Sequence, residues 1–308
     1  MDAFGGDEAC QAVLEELRWP GGPECPRCQS KKLSRMYARG QFDCDSCGYK
    51  FSVTSGTVLH DTHLPLRKWI VATFLLCKAK KGMSALQLKC TIGVSYKTAW
   101  YLCHRIRSAI GSGEAEPLTG VVEADETWMG GKAKNMQASQ REKLGTGAGF
   151  VGNKVQVLGA VQRGEDGKPS QIRLAVTGPK GKRADLPRLH SFIAATIDDG
   201  AKAVYTDENE GYLGVGDDDT IHATVNHGEG RWVEGDVHTN SAESACSLFK
   251  RGVVGSYHRL QSKHLDAYLG EFEWRFNNRR NPYLFRDTLT RMVQADTLTF
   301  AELTAKPA

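Results

Sequence analysis

The spacing of apolar residues divides the chain into a helical front and a mixed back. Residues 8–18 predict a short amphipathic helix, closed by Trp19-Pro20-Gly21-Gly22. Short strands are expected at Leu33–Met36 and Gln41–Asp43, and residues 49–58 alternate like a strand followed by a turn. Leu66 to Lys80 repeats apolar residues at helical period, and Met83-Ser84 opens another helix. Gly93-Val94-Ser95 then turns into a helix over Tyr96–Arg107, which Ser95 can cap. Beyond the linker at 111–119 the period changes to two. Strands are predicted over 120–127, 154–163, 171–177, 203–207 and 221–225, with hairpin chemistry at Gly164–Ser170. Helices are predicted at 184–197, 238–252, 262–279 and around 286–293, so the back half is mixed α and β, an α/β (α+β) fold class.

The helix over 238–252 has two faces. Glu243, Ser247 and Lys250 fall on one at i, i+4, i+7, while Ala245, Leu248 and Phe249 fall on another. Asn240 suits the N-cap, Glu243 is its reciprocal partner in a capping box, and Gly252 can end the helix.

Composition narrows the class. A chain of 308 residues with 40% hydrophobic and 25% charged content can bury a sizeable core and forms two or three soluble domains. The longest uncharged apolar run, Trp69 to Cys77, is far too short to span a bilayer, and the N-terminus lacks the basic region of a signal peptide. A cytoplasmic protein with no membrane partner is the expectation. Residues 1–112 carry 16 Lys/Arg against 9 Asp/Glu, whereas the remainder is net acidic, so the front is the half suited to nucleic acid. Nine cysteines without a secretion signal argue for metal or reduced thiols over disulfides.

Four of those cysteines have metal spacing. Cys25-x2-Cys28 and Cys44-x2-Cys47, separated by 15 residues, predict a zinc ribbon over residues 20–52, with Zn²⁺ supplying folding energy to a piece too small to hold itself. Cys77, Cys90 and Cys103 lie in apolar contexts and read as small hydrophobes. Residues 62–110 have the helix, glycine turn and second helix of a helix-turn-helix, with Lys97, Thr98, Arg105 and Arg107 as DNA-contacting candidates. Lys132 and Lys134 belong to a polar, basic stretch between the first two back-half strands, expected to be a mobile loop.

Asp125 and Asp207 each close a predicted strand, and each is followed by Glu and a polar residue, where the strand is expected to stop. If the two strands lie side by side their acids converge, and converging carboxylates need a shared proton or cations. Glu243 follows Asp207 after 35 intervening residues, and Lys250 lies seven beyond it. This arrangement resembles the DDE transposases and integrases. Together with the ribbon and the stretches Glu123-Ala-Asp125-Glu-Thr-Trp-Met-Gly-Gly, Tyr205-Thr-Asp207-Glu-Asn-Glu-Gly-Tyr, Val237-His-Thr-Asn-Ser-Ala-Glu243 and Glu271-Phe-Glu-Trp-Arg-Phe-Asn-Asn-Arg, it is similar to bacterial insertion-sequence transposases of the ISXO-like group, relatives of the Merlin elements.

The resemblance implies an RNase H-like catalytic domain over 118–285, followed by a helical tail at 286–308. It implies Mg²⁺ or Mn²⁺ held by Asp125, Asp207 and Glu243, with Asn240 as cap or auxiliary ligand, and Lys250 and Arg251 facing DNA phosphate. The implied reaction is metal-dependent cleavage at an element's terminal inverted repeats and strand transfer into target DNA, by a homodimer or larger assembly. An RNase H-like nuclease that does not join ends, and a non-catalytic zinc-ribbon regulator, are the alternatives. Ala245 and Cys246 stand where relatives tend to carry bulky aromatics, which bears on how closely the helix packs.

Overall fold

The computed structural model describes residues 5–111, 113, 115–130, 139, 154–165, 167–178, 181, 183–216, 220–226, 228, 230, 232–258 and 260–305. Its front elements are α1 (Asp7–Arg18), β1 (Leu33–Met36), β2 (Gln41–Cys44), β3 (Lys50–Phe51), α2 (Leu66–Lys78), α3 (Ala85–Ile92) and α4 (Tyr96–Gly111). Then follow β4 (Val121–Met129), β5 (Val155–Gln162), β6 (Gln171–Val176), α5 (Leu186–Thr196), β7 (Ala203–Asp207) and β8 (Ile221–Val225). The chain closes with α6 (Asn240–Gly252), α7 (Leu265–Asn277), α8 (Leu284–Gln294) and α9 (Phe300–Thr304). Two compact units result, one of Met1–Gly113 with Asn281–Ala308, the other of Glu114–Arg280. Among the described residues no helix is long and apolar enough to cross a membrane.

In the first unit β1, β2 and β3 form an antiparallel sheet around a small core of Cys25, Phe42, Cys44 and Phe51, with Trp19 edge-on to both phenylalanines. The expected Ser95 cap is present, with Ser95 Oγ accepting from Thr98 N–H. The structure adds a second: Ser84 Oγ accepts from the Gln87 N–H at the start of α3, and Gly93 takes the left-handed φ of 63° that ends it. The segment expected as a tail after the catalytic domain belongs to this unit instead. Helix α8 carries Leu289, Met292 and Val293 on one face, and that stripe finds its cover against α1, α2 and α4.

The second unit is a five-stranded mixed sheet in the order β6-β5-β4-β7-β8, antiparallel on the β6-β5-β4 side and parallel from β4 through β7 to β8. One face packs Val122, Ala124, Leu158, Ala160 and Val204 under Leu189 and Phe192 of α5. The other packs Met129, Val155, Val157 and Val161 under Ala242, Ala245 and Phe249 of α6 and Leu265, Leu269 and Phe272 of α7. With helices on both faces of the sheet, this three-layered arrangement is consistent with an RNase H-like domain. Helix α7 also closes the open edge at β6. Glu273 accepts from the Leu174 N–H (3.1 Å), while Asn277 accepts from Ile172 N–H (2.7 Å) and donates to Ile172 O (3.0 Å), so two side chains one turn apart stand in for a missing strand.

Candidate active site

Strands β4 and β7 are paired in parallel as Val121↔Ala203, Val122↔Val204 and Glu123↔Tyr205. The same offset sets Asp125 opposite Asp207, just where the ladder ends. One carboxylate oxygen from each of Asp125, Glu126 and Asp207 lies within 4.8 Å of the others. The expectation that the strand stops at Asp125 is corrected: β4 runs on to Met129, paired with β5 as far as Val155. Glu126, read from sequence as a strand stop, is therefore a strand residue whose carboxylate joins the cluster. It is held by Asn209 Nδ2 at 2.6 Å and lies beside the buried phenol of Tyr212. The available signal was a pair of adjacent acids followed by further strand-forming residues, Thr127-Trp128-Met129.

Burial raises Asp125 to about 6, and the nearby charges of Asp207 and Glu243 add to the rise, while Lys250 and the Glu126 N–H (2.7 Å) oppose it. Glu126 is raised to about 7, first by burial and then by Asp207 and Asp125. With Asp207 beside them, Asp125 and Glu126 form a half-buried oxygen-donor set short of positive charge. A hard divalent cation fits it.

Helix α6 brings the third sequence-expected acid over the same sheet face as Asp125. Its approach is close because small residues meet: a Cβ on Gly159, the partner of Asp125 in β5, would lie 3.3 Å from Cys246 Sγ. Ala242, Ala245 and Cys246 are buried, so the substitution of small residues for bulky ones goes with tight packing. Glu243, Ser247 and Lys250 are exposed on one side as expected, and the charges of Glu243 and Lys250 both act on Asp125.

The local capping box is not formed. The N-cap is Thr239, without a side-chain cap bond, and Asn240 is the first helical residue and exposed. A carboxylate from the neighbouring strand replaces it. Glu123, fully buried, accepts from Ser241 N–H (2.7 Å) and Ala242 N–H (3.1 Å) through Oε2. Gly252 ends the α-helix but stays right-handed, and the winding continues as a wider turn over Val253–Tyr257, closed by His258 at φ 58°.

The four ribbon cysteines converge. Cys25 and Cys47 sulfurs are 3.7 Å apart, Cys28 and Cys44 are 3.5 Å apart, and all four lie within 4.8 Å. Tetrahedral zinc with Zn–S bonds of about 2.3 Å spaces its sulfurs by about 3.8 Å, so the set fits a structural Zn²⁺. Each knuckle turns through a left-handed residue just after its second cysteine, Gln29 (φ 60°) and Gly48 (φ 67°).

Of the DNA-contacting candidates, Lys97 is exposed and Thr98 half-buried at the start of α4, and Lys250 and Arg251 are exposed on α6. Arg105 and Arg107 are corrected. At 5% and 2% exposure both are interior, and the Arg105 guanidinium donates to His60 O (2.5 Å) and lies over the Trp69 and Tyr101 rings. Lys132 and Lys134 lie outside the described residues, as does His227. His222 bonds Thr206 (3.0 Å), and His238 bonds Arg163 (2.9 Å), so neither shows a metal-ligand pairing.

Residues 117–277, just over half of the chain, match the ISXO2-like transposase domain, and residues 5–50 match a transposase zinc-ribbon domain. The chain is 29% identical over 296 residues to an uncharacterized protein in transposable element ISH50 of Halobacterium salinarum, covering 92% of this chain and 95% of that protein. No solved structure matches.

Proposed function

The chain belongs to the ISXO2-like transposase family, and from that premise we propose that it binds the terminal inverted repeats of an insertion sequence, cuts there, and joins the freed ends to target DNA. Membership implies a DNA-cleaving enzyme that binds DNA. The observation that carries the finer reading is the meeting of Asp125, Glu126 and Asp207 within 4.8 Å, with Glu243 and Lys250 close enough to act on Asp125.

Asp125, Asp207 and Glu243 would hold the divalent cations, Mg²⁺ or Mn²⁺, with Glu126 beside them. When bound, these ions activate the attacking hydroxyl and neutralise charge on the leaving oxygen. The chain's own residues do the rest. The two strand-borne acids fix direction, because backbone pairing in β4 and β7 orients both. Asn209 holds Glu126 in place, and Lys250, on the exposed face of α6, meets a DNA phosphate as a point charge. In the first reaction a water oxygen bonds to phosphorus and the element's 3′-oxygen leaves as a hydroxyl. In the second that hydroxyl oxygen bonds to a target phosphorus and the target's 3′-oxygen leaves. Lys97 and Thr98 on α4 contact the repeat, and two ends held together require at least two copies.

The test is incubation with labelled DNA carrying the flanking repeats and Mg²⁺ or Mn²⁺. Asp125→Ala, Asp207→Ala and Glu243→Ala should each abolish cleavage and joining, and Asn240→Ala should retain both. Loss of joining in Asn240→Ala with activity kept in Glu243→Ala would reverse the ligand assignment. Cleavage without any joined product would make the protein a nuclease.

A further inference from the structure

Glu123 stands two residues before Asp125 on the same face of β4, yet it touches no part of the carboxylate cluster. It is completely buried, an unusual place for an acid unless every oxygen is engaged. Its Oε2 receives the N–H groups of the second and third residues of α6, Ser241 and Ala242, and its Oε1 receives Arg163 Nε at 2.6 Å. Arg163 in turn donates to Asp236 O (2.8 Å), His238 O (3.1 Å) and His238 Nδ1 (2.9 Å), and its guanidinium lies over the Tyr205 ring at 4.9 Å. One buried carboxylate and one guanidinium thus grip the segment leading into α6 and its first turn. Both come from the strands that carry or flank Asp125.

We infer that Glu123, clamped by Arg163, is the positioning residue that sets the depth and rotation of α6, so that Glu243 reaches the cluster of Asp125 and Asp207. The inference rests on the reading of Glu243 as a metal-holding residue. Three features of the chain support it. First, α6 lacks a side-chain cap of its own, so its N–H groups depend on Glu123, and its N-terminal partial charge faces that carboxylate. Second, Glu243 follows Ala242 directly, so fixing Ala242 N–H fixes the turn that bears Glu243. Third, Glu123 and Asp125 are consecutive same-face residues of one strand, which makes the link between strand and helix as short as the backbone allows. A local capping residue would stabilise the helix equally well but would not tie its first turn to the strand that bears Asp125.

The experiment measures Mn²⁺ affinity of the full-length protein at 25 °C by titration with detection of free Mn²⁺ by electron paramagnetic resonance. Thermal melting and hydrogen exchange at the Ser241 and Ala242 amides are followed in parallel. Glu123→Gln keeps the size but presents an amide where Arg163 needs an acceptor. Its Mn²⁺ affinity should fall about 10–100-fold, as for loss of other groups that orient metal ligands, with faster exchange at both amides. Leu189→Ala, in the core on the opposite sheet face, is the stability control and should lower the melting temperature while leaving Mn²⁺ affinity unchanged. Should Glu123→Gln not fold, Arg163→Lys keeps the cap and the charge but loses the fork, and should show a smaller loss in the same direction. Wild-type affinity in the folded variant overturns the inference, as does an equal loss in Leu189→Ala. If wild type binds Mn²⁺ no better than Asp125→Ala/Asp207→Ala, the metal reading itself fails.

Discussion

Replacing Gly159 by alanine tests whether the close approach of α6 matters to the site. The added Cβ would stand 3.1 Å from Leu174 Cδ2, 3.3 Å from Cys246 Sγ and 3.9 Å from Asp125 O. Leu174 offers only the tip of a flexible side chain and can turn away. Cys246 has only Sγ beyond its Cβ, on a buried helical backbone, so relief there means moving α6 outward by a few tenths of an ångström. Overpacking of this kind costs about 1–3 kcal/mol, offset by about 0.5–1 kcal/mol because alanine loses less backbone freedom than glycine on folding. The net destabilisation is about 1–2 kcal/mol, a fall of roughly 2–8 °C in melting temperature for a unit of this size. Because a misplacement of about 1 Å can cost about 100-fold in rate, a shift of a few tenths should slow strand transfer by about threefold to tenfold. Calorimetry and a strand-transfer assay on the same preparation read both quantities. Removing Cys246 Sγ as well should recover part of each loss, since residues in contact do not act additively. Wild-type stability and rate in Gly159→Ala, or a Gly159→Ala/Cys246→Ala double variant that recovers neither, would refute the argument that this contact sets the helix.

Three further outcomes are expected. Asp125 and Glu126 are raised to about 6 and about 7, so in metal-free protein their stabilising contribution is full below about pH 4 and is lost as pH rises through 6 to 7. With EDTA present, the difference in unfolding free energy between wild type and Asp125→Asn/Glu126→Gln should change over that window, on the order of a few kcal/mol shared by the pair, and saturating Mg²⁺ should remove the pH dependence; a flat difference rules the burial argument out. Chelating zinc, or Cys44→Ala, should unfold the ribbon, seen as one equivalent of zinc released by atomic emission together with new proteolysis between residues 20 and 52, because the core of Cys25, Phe42, Cys44 and Phe51 is too small to stand alone. Lys97→Ala should weaken DNA binding across sequences and reduce the salt slope by about one, whereas Arg105→Ala should lower the unfolding free energy by about 2–4 kcal/mol through a lost buried cation and its stacking; a salt-slope change with Arg105→Ala at unaltered stability would restore it as a DNA contact.

Element positions were legible where a local signal decides them. The alternation in β5 and β6, the Ser84 and Ser95 caps, and the apolar stripe of α7 each carry their own period or capping chemistry, and each element formed within a few residues of the expected bounds. What sequence missed was decided by partners far along the chain. Arg105 and Arg107 look like a basic face because α4 carries them beside Lys97, but Arg105 turns onto His60 O and the Trp69 ring, and α4 is also covered by α8, roughly 180 residues away in sequence. Likewise the tail could not be assigned to the front unit from its own residues, since its apolar stripe fits any complementary surface.

The same distinction bears on the proposed third ligand. Asn240 and Glu243 carry the full local signature of a capping box, and read alone that signature engages Glu243 with the backbone of its own helix. In the fold the N-cap is Thr239, one residue earlier than the box requires, and the N–H groups of Ser241 and Ala242 are taken by Glu123, reaching over from β4. A helix capped in cis would tie Glu243 to its own first turn, on whichever face the box dictates. Capping in trans removes that claim on the Glu243 carboxylate and leaves it exposed, close enough to act on Asp125. The strand that supplies the cap also carries Asp125, so the link that releases Glu243 is the link that holds it within reach of the site. Asn240, with no capping bond and an exposed position one turn earlier, has neither the charge nor the constraint to compete for a divalent cation.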